Sequence, residues 1–166
     1  MTIANYTGHG WEGKNYSSSL SRKEITARIR SELKTRYPDC KFSVTFSTYS
    51  GGGNIAVRLM AAKFDVFSTP DLEVASNIRG NRIMTPDEVM ANWKNVVEKG
   101  YHQLNHYYLK DDYTLTDRAR DMFTAINDTI TSFRRDDSDG MIDYFDTNFY
   151  YDLVIGRWDK AFVRIN

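Results

Sequence analysis

The stretch that decides the fold is residues 37–59, YPDCKFSVTFSTYSGGGNIAVRL. Apolar and small polar side chains alternate over residues 42–47 and again over residues 55–59, a period of two that is typical of strands with one buried face. Residues 50–54 between them contain three glycines, which accept the positive φ angles of tight turns. The stretch therefore predicts a β-hairpin.

The residues before this hairpin predict a helix. Ser21 stands three positions before Glu24, the spacing at which the two residues satisfy each other's free backbone N–H groups in a capping box. Apolar residues recur at every fourth position from Ile25 to Leu33 and form one stripe. Pro38 ends the helix, because a proline disfavours the helical conformation of the residue before it.

Two further helices are predicted downstream. Residues 85–88, TPDE, supply an N-cap, a first-turn proline and a capping-box glutamate. That helix either stops at Gly100 or continues to Leu109. A third helix begins near Thr116, and apolar residues then follow helical spacing as far as Phe133.

The C-terminal part is predicted to be β-structure. Residues 141–145, 149–155 and 161–165 are rich in aromatic and β-branched residues and are expected to be strands. Because strands and helices come in runs and do not alternate strictly, the fold class is α+β. We expect an antiparallel sheet of about four or five strands with about three helices packed on one face. Residues 1–19 read as an irregular lead-in to a single domain over residues 1–166.

Composition is that of one ordinary globular domain of 166 residues, with 41% hydrophobic and 27% charged residues. The single cysteine excludes an internal disulfide, and no segment has the composition of a signal peptide or a membrane span. These features predict a cytoplasmic protein without membrane contact. Aromatic residues reach 14%, which suits strands with one wet face and also suits binding surfaces.

Charge is distributed unevenly along the chain although the net charge is zero. Residues 1–64 carry ten Lys or Arg and four Asp or Glu, whereas residues 65–166 carry twelve and eighteen. Either the two halves interleave and neutralise each other, or the first half presents a basic surface to an acidic partner.

An acidic loop near the third helix invites a calcium interpretation. Asp137, Asp139 and Gly140 match three positions of an EF-hand loop, but Arg135 occupies the first ligand position, where a carboxylate is required. The loop also continues into a predicted strand, not a helix. We therefore expect an acidic turn and no metal, with a metal-dependent enzyme using the loop from Asp139 to Asp143 as an alternative.

Other candidate chemical groups are weak. His102 and His106 have the spacing of a helical metal clamp, but no third ligand lies near them in sequence. Residues 50–53, SGGG, lack the lysine of a phosphate-binding P-loop and precede a strand. Cys40 has no argued histidine partner. The sequence predicts no catalytic residue and no cofactor.

Basic residues of the first helix and the following strands form a candidate nucleic-acid surface. Clustered Lys and Arg neutralise phosphates, and exposed Tyr or Phe can stack on bases. A pI near 6.8 and the frequent use of Lys and Arg as a solvated helix face argue against it. The candidate residues are Arg28, Arg30, Lys34, Arg36, Lys41 and Arg58.

Two motifs resemble a known family. Residues 37–57, YPDCKFSVTFSTYSGGGNIAV, contain Ser50-Gly51-Gly52 in a turn between strands, and residues 138–158, SDGMIDYFDTNFYYDLVIGRW, contain Asp139-Gly140-Met141 followed by Asp143. Both resemble the motifs of the large polyvalent protein-associated domain of the twenty-ninth type, which is found in bacterial conjugative elements and phages. Members usually join the two motifs by a short loop and one helix, so residues 65–115 are expected to be an insertion.

This resemblance implies a bacterial mobile-element setting and carries over no catalytic residue. We expect a non-enzymatic binding or accessory protein whose partner is nucleic acid or a bacterial protein. The alternative is a protein-interaction module that acts on a host defence or conjugation protein, with a homodimer through the aromatic C-terminal strands as one version. The loops at residues 50–54 and 136–143 are expected to lie at one edge of the sheet.

Overall fold

The computed structural model describes residues 5–72 and 84–166. The described residues contain three α-helices: α1 (Arg22–Arg36), α2 (Pro86–Lys99) and α3 (Asp117–Thr131). The strands are β1 (Trp11–Glu12), β2 (Cys40–Tyr49), β3 (Gly52–Ala62), β4 (His102–Leu104), β5 (Arg135–Asp136), β6 (Tyr150–Ile155) and β7 (Val163–Arg164). Residues 73–83 of the expected insertion lie outside the described residues.

The main sheet has five strands in the order β2-β3-β6-β4, and β7 pairs with the end of β3. The α+β class is confirmed, but the prediction of a purely antiparallel sheet is wrong. β6 and β7 both pair with β3 in parallel, whereas β2–β3 and β4–β6 are antiparallel. Between β3 and β6 the chain enters the sheet as β4, which is antiparallel to β6. α3 then connects β4 to β6, and this second reversal returns the chain to the direction of β3.

Local signals set the helix boundaries. The side chain of Ser21 accepts a hydrogen bond from the backbone N–H of Glu24, which confirms the N-cap. The Glu24 carboxylate accepts from the Ser21 hydroxyl and not from its backbone N–H, so the predicted capping box of α1 is only half formed, whereas that of α2 between Thr85 and Glu88 is complete.

Gly100 ends α2 in the left-handed conformation with φ of 57°. Of the two predicted ends of this helix, Gly100 is confirmed and the continuation to Leu109 is wrong. β4 begins two residues after Gly100.

The expected strand at residues 141–145 is also wrong. Gly140–Ile142 form a single 3₁₀ turn because the Asp139 carboxylate accepts a hydrogen bond from the backbone N–H of Met141 at 2.9 Å. Asp143 follows in the left-handed conformation with φ of 55°, which reverses the chain. The aromatic content of this segment therefore reflects an exposed turn and not a sheet.

One continuous core joins α1 and α3 to one face of the main sheet. The sheet contributes every second residue of β3 and β6 to it, as the strand period requires. The fully buried members include Ile29 and Leu33 of α1, Phe123, Ile126 and Ile130 of α3, and Ile55, Val57, Leu59, Leu153 and Ile155 of the sheet.

The lead-in is held against the end of α3. β1 pairs with β5, and the buried Asp137 carboxylate accepts hydrogen bonds from the backbone N–H groups of Tyr6 and Thr7. The Thr7 hydroxyl also donates a hydrogen bond to Asp137. This bond, followed by the two from the backbone, lowers the pKa of Asp137. Within residues 5–72 and 84–166, no helix is long and apolar enough to cross a membrane.

Candidate functional site

The basic residues of α1 divide into two groups on opposite sides of the helix. Lys23, Arg30 and Lys34 lie within about 40° of one another around the helix axis, since each residue advances the helix by about 100°. All three are exposed, and the residues that share this side at positions 27 and 31 are Ala and Ser. This group, which we call the basic row, contains no acidic side chain.

The other basic residues of α1 lie beside acids. Arg28 falls between Glu24 and Glu32, one helical turn from each. A guanidinium nitrogen of Arg36 lies 3.9 Å from a carboxylate oxygen of Glu32, which also accepts a hydrogen bond from Thr129 of α3. This side of α1 therefore faces α3 and is close to neutral.

The basic row borders the free edge of the main sheet. β2 is the edge strand, and Arg30 donates a hydrogen bond to the backbone carbonyl of Val44 at 2.6 Å. On the opposite side of the strand, Arg58 donates a hydrogen bond to the Thr45 hydroxyl at 3.0 Å. Two guanidinium groups are thus attached to neighbouring residues of one edge strand, one on each side of it.

The six residues predicted from the sequence do not form one surface. Arg30 and Lys34 belong to the basic row, and Arg58 reaches the same edge strand from the open face of the sheet. Lys41 is exposed at the start of β2, while Arg28 and Arg36 lie on the side that faces α3. Lys23 was not among the predicted residues, although its spacing of seven and eleven residues from Arg30 and Lys34 places it on the same side of a helix.

A groove of about 410 Å³ lies on the open face of the main sheet, opposite α1 and α3. Its floor is Val154, which is buried, and Trp158 on its wall is 86% exposed. The other side chains come from four strands, β2, β3, β4 and β6, from the residue before β4 and from the turn after β6. They include Thr45, Arg58, Tyr101, Gln103 and Asp152.

Two glycines bring the walls of this groove together. Gly156 has φ of 68°, and a Cβ atom there would overlap the carbonyl oxygen of Gly100. The N–H of Phe162 donates to the same carbonyl at 2.8 Å, and the N–H of Gly156 donates to Leu59 at 2.8 Å. The turn that carries Trp158 is thereby fixed next to Tyr101.

Charges in the groove are balanced by specific partners. Asn54 donates a hydrogen bond to the Asp152 carboxylate at 2.9 Å. Arg157 makes a bidentate pair with Asp159 at 2.9 and 2.8 Å, and these hydrogen bonds hold the pKa of the Asp159 carboxyl below its usual range. Arg58 donates a hydrogen bond to the neutral Thr45 hydroxyl, and its charge also helps to lower the pKa of Asp159.

The two motifs that resemble the family each precede a strand, β3 and β6, and these two strands pair in parallel. Ser50 and Gly51 form the turn before β3, where Gly51 has φ of 86°, and the segment with Asp139, Gly140 and Asp143 precedes β6. Arg22 connects the two regions, since its guanidinium donates to Thr48 on one side and to the Asn148 carbonyl on the other. That guanidinium occupies the space a side chain at residue 53 would need, and Gly52 packs near two tyrosine rings.

The candidate metal ligands have other partners. His102 makes a 2.7 Å hydrogen bond to the buried Asp112, and His106 stacks on Tyr107 and Tyr151. Neither histidine lies on a helix, so the clamp geometry is absent. No three His, Cys, Asp or Glu side chains in the described ranges could together hold a metal ion.

Cys40 is half-buried beside Met122, with 3.8 Å between the two sulfur atoms. Burial raises the pKa of its thiol to about 11, which keeps it protonated at neutral pH. Its environment, beside Met122 and in the core margin, is that of a packing residue.

Comparison with protein-family models matches residues 20–120, about 60% of the chain, to the large polyvalent protein associated domain 29. The matched span covers α1, the β2–β3 hairpin and α2, and it ends before the second resemblance motif. No curated protein and no solved structure matches the chain. The expectation that residues 65–115 are an insertion stays a prediction. On the strength of this match, the chain belongs to the large polyvalent protein associated domain 29 family.

Proposed function

We propose that this protein binds nucleic acid without catalysing a reaction, and that the phosphate backbone lies along the free edge of β2. The contacts are Lys23, Arg30 and Lys34 on one side of the strand and Arg58 on the other. Long-range attraction to a polyanion needs several cations without acidic neighbours, and the basic row meets this requirement. The proposed setting is the bacterial cytoplasm and a mobile genetic element, as the family resemblance implies.

The observation that carries this proposal is the pair of guanidinium groups on neighbouring edge residues. Arg30 and Arg58 come from opposite faces of the sheet and meet the same strand at Val44 and Thr45. Each is oriented by a single hydrogen bond to an uncharged group, so most of its N–H donors remain available to phosphate. An edge strand also has backbone groups that pair with no other strand of its sheet.

The test is fluorescence anisotropy with labelled single-stranded and duplex DNA and RNA. Lys23→Ala with Lys34→Ala removes two charges from the basic row, and we expect affinity to fall by about tenfold or more at low salt, since each phosphate contact adds to counterion release. The matched control is Arg28→Ala with Arg36→Ala, which removes the same charge from the side of α1 that faces α3. We expect the control to stay within about threefold of wild type.

Equal losses in both double variants would mean that only net charge matters and would contradict a defined site. Absence of binding to all four nucleic acids at low salt would contradict the proposal altogether.

A second candidate function, a protein-interaction module, is favoured by an exposed apolar turn in the second motif. Met141 is 93% exposed, and Ile142 and Phe145 are 57% and 62% exposed. Apolar side chains grouped at this exposure are typical of contact surfaces. The test is the double variant Met141→Ser with Phe145→Ser. If the turn is a contact surface, the variant should lose self-association in sedimentation or capture of a protein partner, while its affinity for DNA should stay unchanged.

A further inference from the structure

We infer that the groove on the open face of the sheet binds one unstacked nucleobase, so that the nucleic acid bound at the edge of β2 is single-stranded. This inference rests on the proposed function and specifies its ligand. It assigns a role to groove residues that the charge pattern alone did not single out: Trp158, Tyr101 and Gln103.

Trp158 supplies the stacking surface. Its side chain is 86% exposed although the turn that carries it is rigidly held, with reciprocal backbone hydrogen bonds between Arg157 and Lys160 at 2.8 and 3.2 Å. Because the backbone of this turn is already held, stacking a planar ring on the indole restricts only the two side-chain torsions of Trp158. Stacking on aromatic side chains is the main way in which proteins hold unpaired bases.

Polar groups in the groove match the edges of a base. Gln103 is exposed and offers an amide that both donates and accepts, and Asp152 offers a carboxylate already oriented by Asn54. The buried Val154 gives an apolar floor beneath them. A volume of about 410 Å³ exceeds what a single base needs and leaves room for its sugar.

The groove and the basic row are connected across β2. Ser43 and Thr45, which line the groove, alternate with Val44, whose carbonyl binds Arg30. The basic row and Arg58 lie on the two sides of this strand, so a single nucleic-acid strand that contacts both passes around the edge of β2. A duplex keeps its bases stacked and paired in its interior, and therefore cannot place one in the groove.

The test measures anisotropy at low salt with three probes: a labelled twelve-nucleotide single strand, a blunt-ended duplex, and the single strand with abasic sites throughout. Wild-type protein should bind the single strand more tightly than the other two. Trp158→Ala should weaken single-strand binding by about fivefold or more and leave duplex and abasic binding within about twofold. Because Trp158 is exposed, the variant is expected to fold, and its melting temperature checks this.

The matched control is Trp11→Ala, which removes an indole that is 40% exposed on β1, in the separate two-stranded sheet. It should change none of the three affinities. Equal binding of single strand and duplex, with no effect of Trp158→Ala, would overturn the base-binding groove while leaving the phosphate contacts at β2 intact. Loss of binding to every probe in wild-type protein would overturn both proposals.

Discussion

Arg58 and Leu59 are neighbours on β3 and belong to opposite faces of the same sheet. Leu59 is fully buried among residues of α1 and α3, whereas Arg58 is half-buried, lines the groove and reaches the edge strand. The difference follows from the period of two in strands, which sends successive side chains to opposite faces. One face thus holds the fold together through apolar burial, and the other is left to carry polar and aromatic groups.

This division separates stability from binding. Helices α1 and α3 cover the core face, so substitutions there create cavities. Among the described residues, the groove on the open face is lined by strands and loops, and polar side chains there are hydrogen-bonded to one another and not packed in the core. Substitutions on the two faces of one strand should therefore have different consequences.

The largest effect is expected for Leu59→Ala. Removing a fully buried leucine leaves a cavity between the sheet and the helices, and the free energy of unfolding should fall by about 2–5 kcal/mol. Urea unfolding followed by circular dichroism measures it. Arg58→Ala is the control on the other face, and it should change the free energy of unfolding by less than about 1 kcal/mol while weakening nucleic-acid binding. Similar destabilisation by both would contradict the division between the faces.

Gly156→Ala should lower both the stability of the fold and the affinity for single-stranded nucleic acid. A methyl group there would overlap the Gly100 carbonyl, an overpacking cost of about 1–3 kcal/mol, and the left-handed conformation adds about 1–2 kcal/mol. Gly51→Ala is the matched control, because Gly51 also has a positive φ but has no atom within 4 Å of the added methyl. We expect the Gly156 variant to be the less stable of the two by thermal unfolding and to bind single strands more weakly. Equal melting temperatures of the two variants would contradict a steric conflict between residue 156 and the Gly100 carbonyl.

Asp112→Asn should give a smaller, pH-dependent effect. Burial would raise the pKa of Asp112, but hydrogen bonds from His102 and Thr114 outweigh it and hold the pKa below the usual 3.8. A carboxyl with a lowered pKa in the folded state stabilises the fold above its unfolded pKa and loses that contribution as pH falls through its folded pKa. The variant should therefore be less stable by about 1–3 kcal/mol at pH 7, with the difference shrinking below about pH 4. Thermal unfolding from pH 7 to pH 2 tests this, and a constant difference would contradict it.

The sequence predicted the elements whose determinants are local. The alternation in β2 and β3, the caps at Ser21 and Thr85, and the glycine after α2 each act within a few residues, and the structure confirms them. The direction of β6 depends on pairing with β3 almost a hundred residues earlier, and no local pattern specifies it. The turn at Gly140–Ile142 was missed because the hydrogen bond that the Asp139 carboxylate accepts from the backbone N–H of Met141 outweighed strand propensity.

The candidate site was predictable only in part. Arg30, Lys34 and Arg58 were identified as basic residues, but their arrangement around β2 depends on the packing of α1 against the sheet. The groove combines Thr45, Tyr101 and Trp158, which are separated by more than fifty residues each and meet through the contact of Gly100 with Gly156. Such a meeting of distant segments has no signature in a single sequence.

Nucleic-acid binding at the edge of β2 is tested most directly by the salt dependence of single-stranded DNA binding by the wild-type protein. If the four cations at the edge of β2 contact phosphates, a plot of log affinity against log salt concentration should have a slope of about −3, from about 0.7 counterions released per phosphate neutralised. Lys23→Ala with Lys34→Ala should bring this slope to about half that value. A slope near zero, or one that the double variant leaves unchanged, would contradict phosphate binding by these four residues.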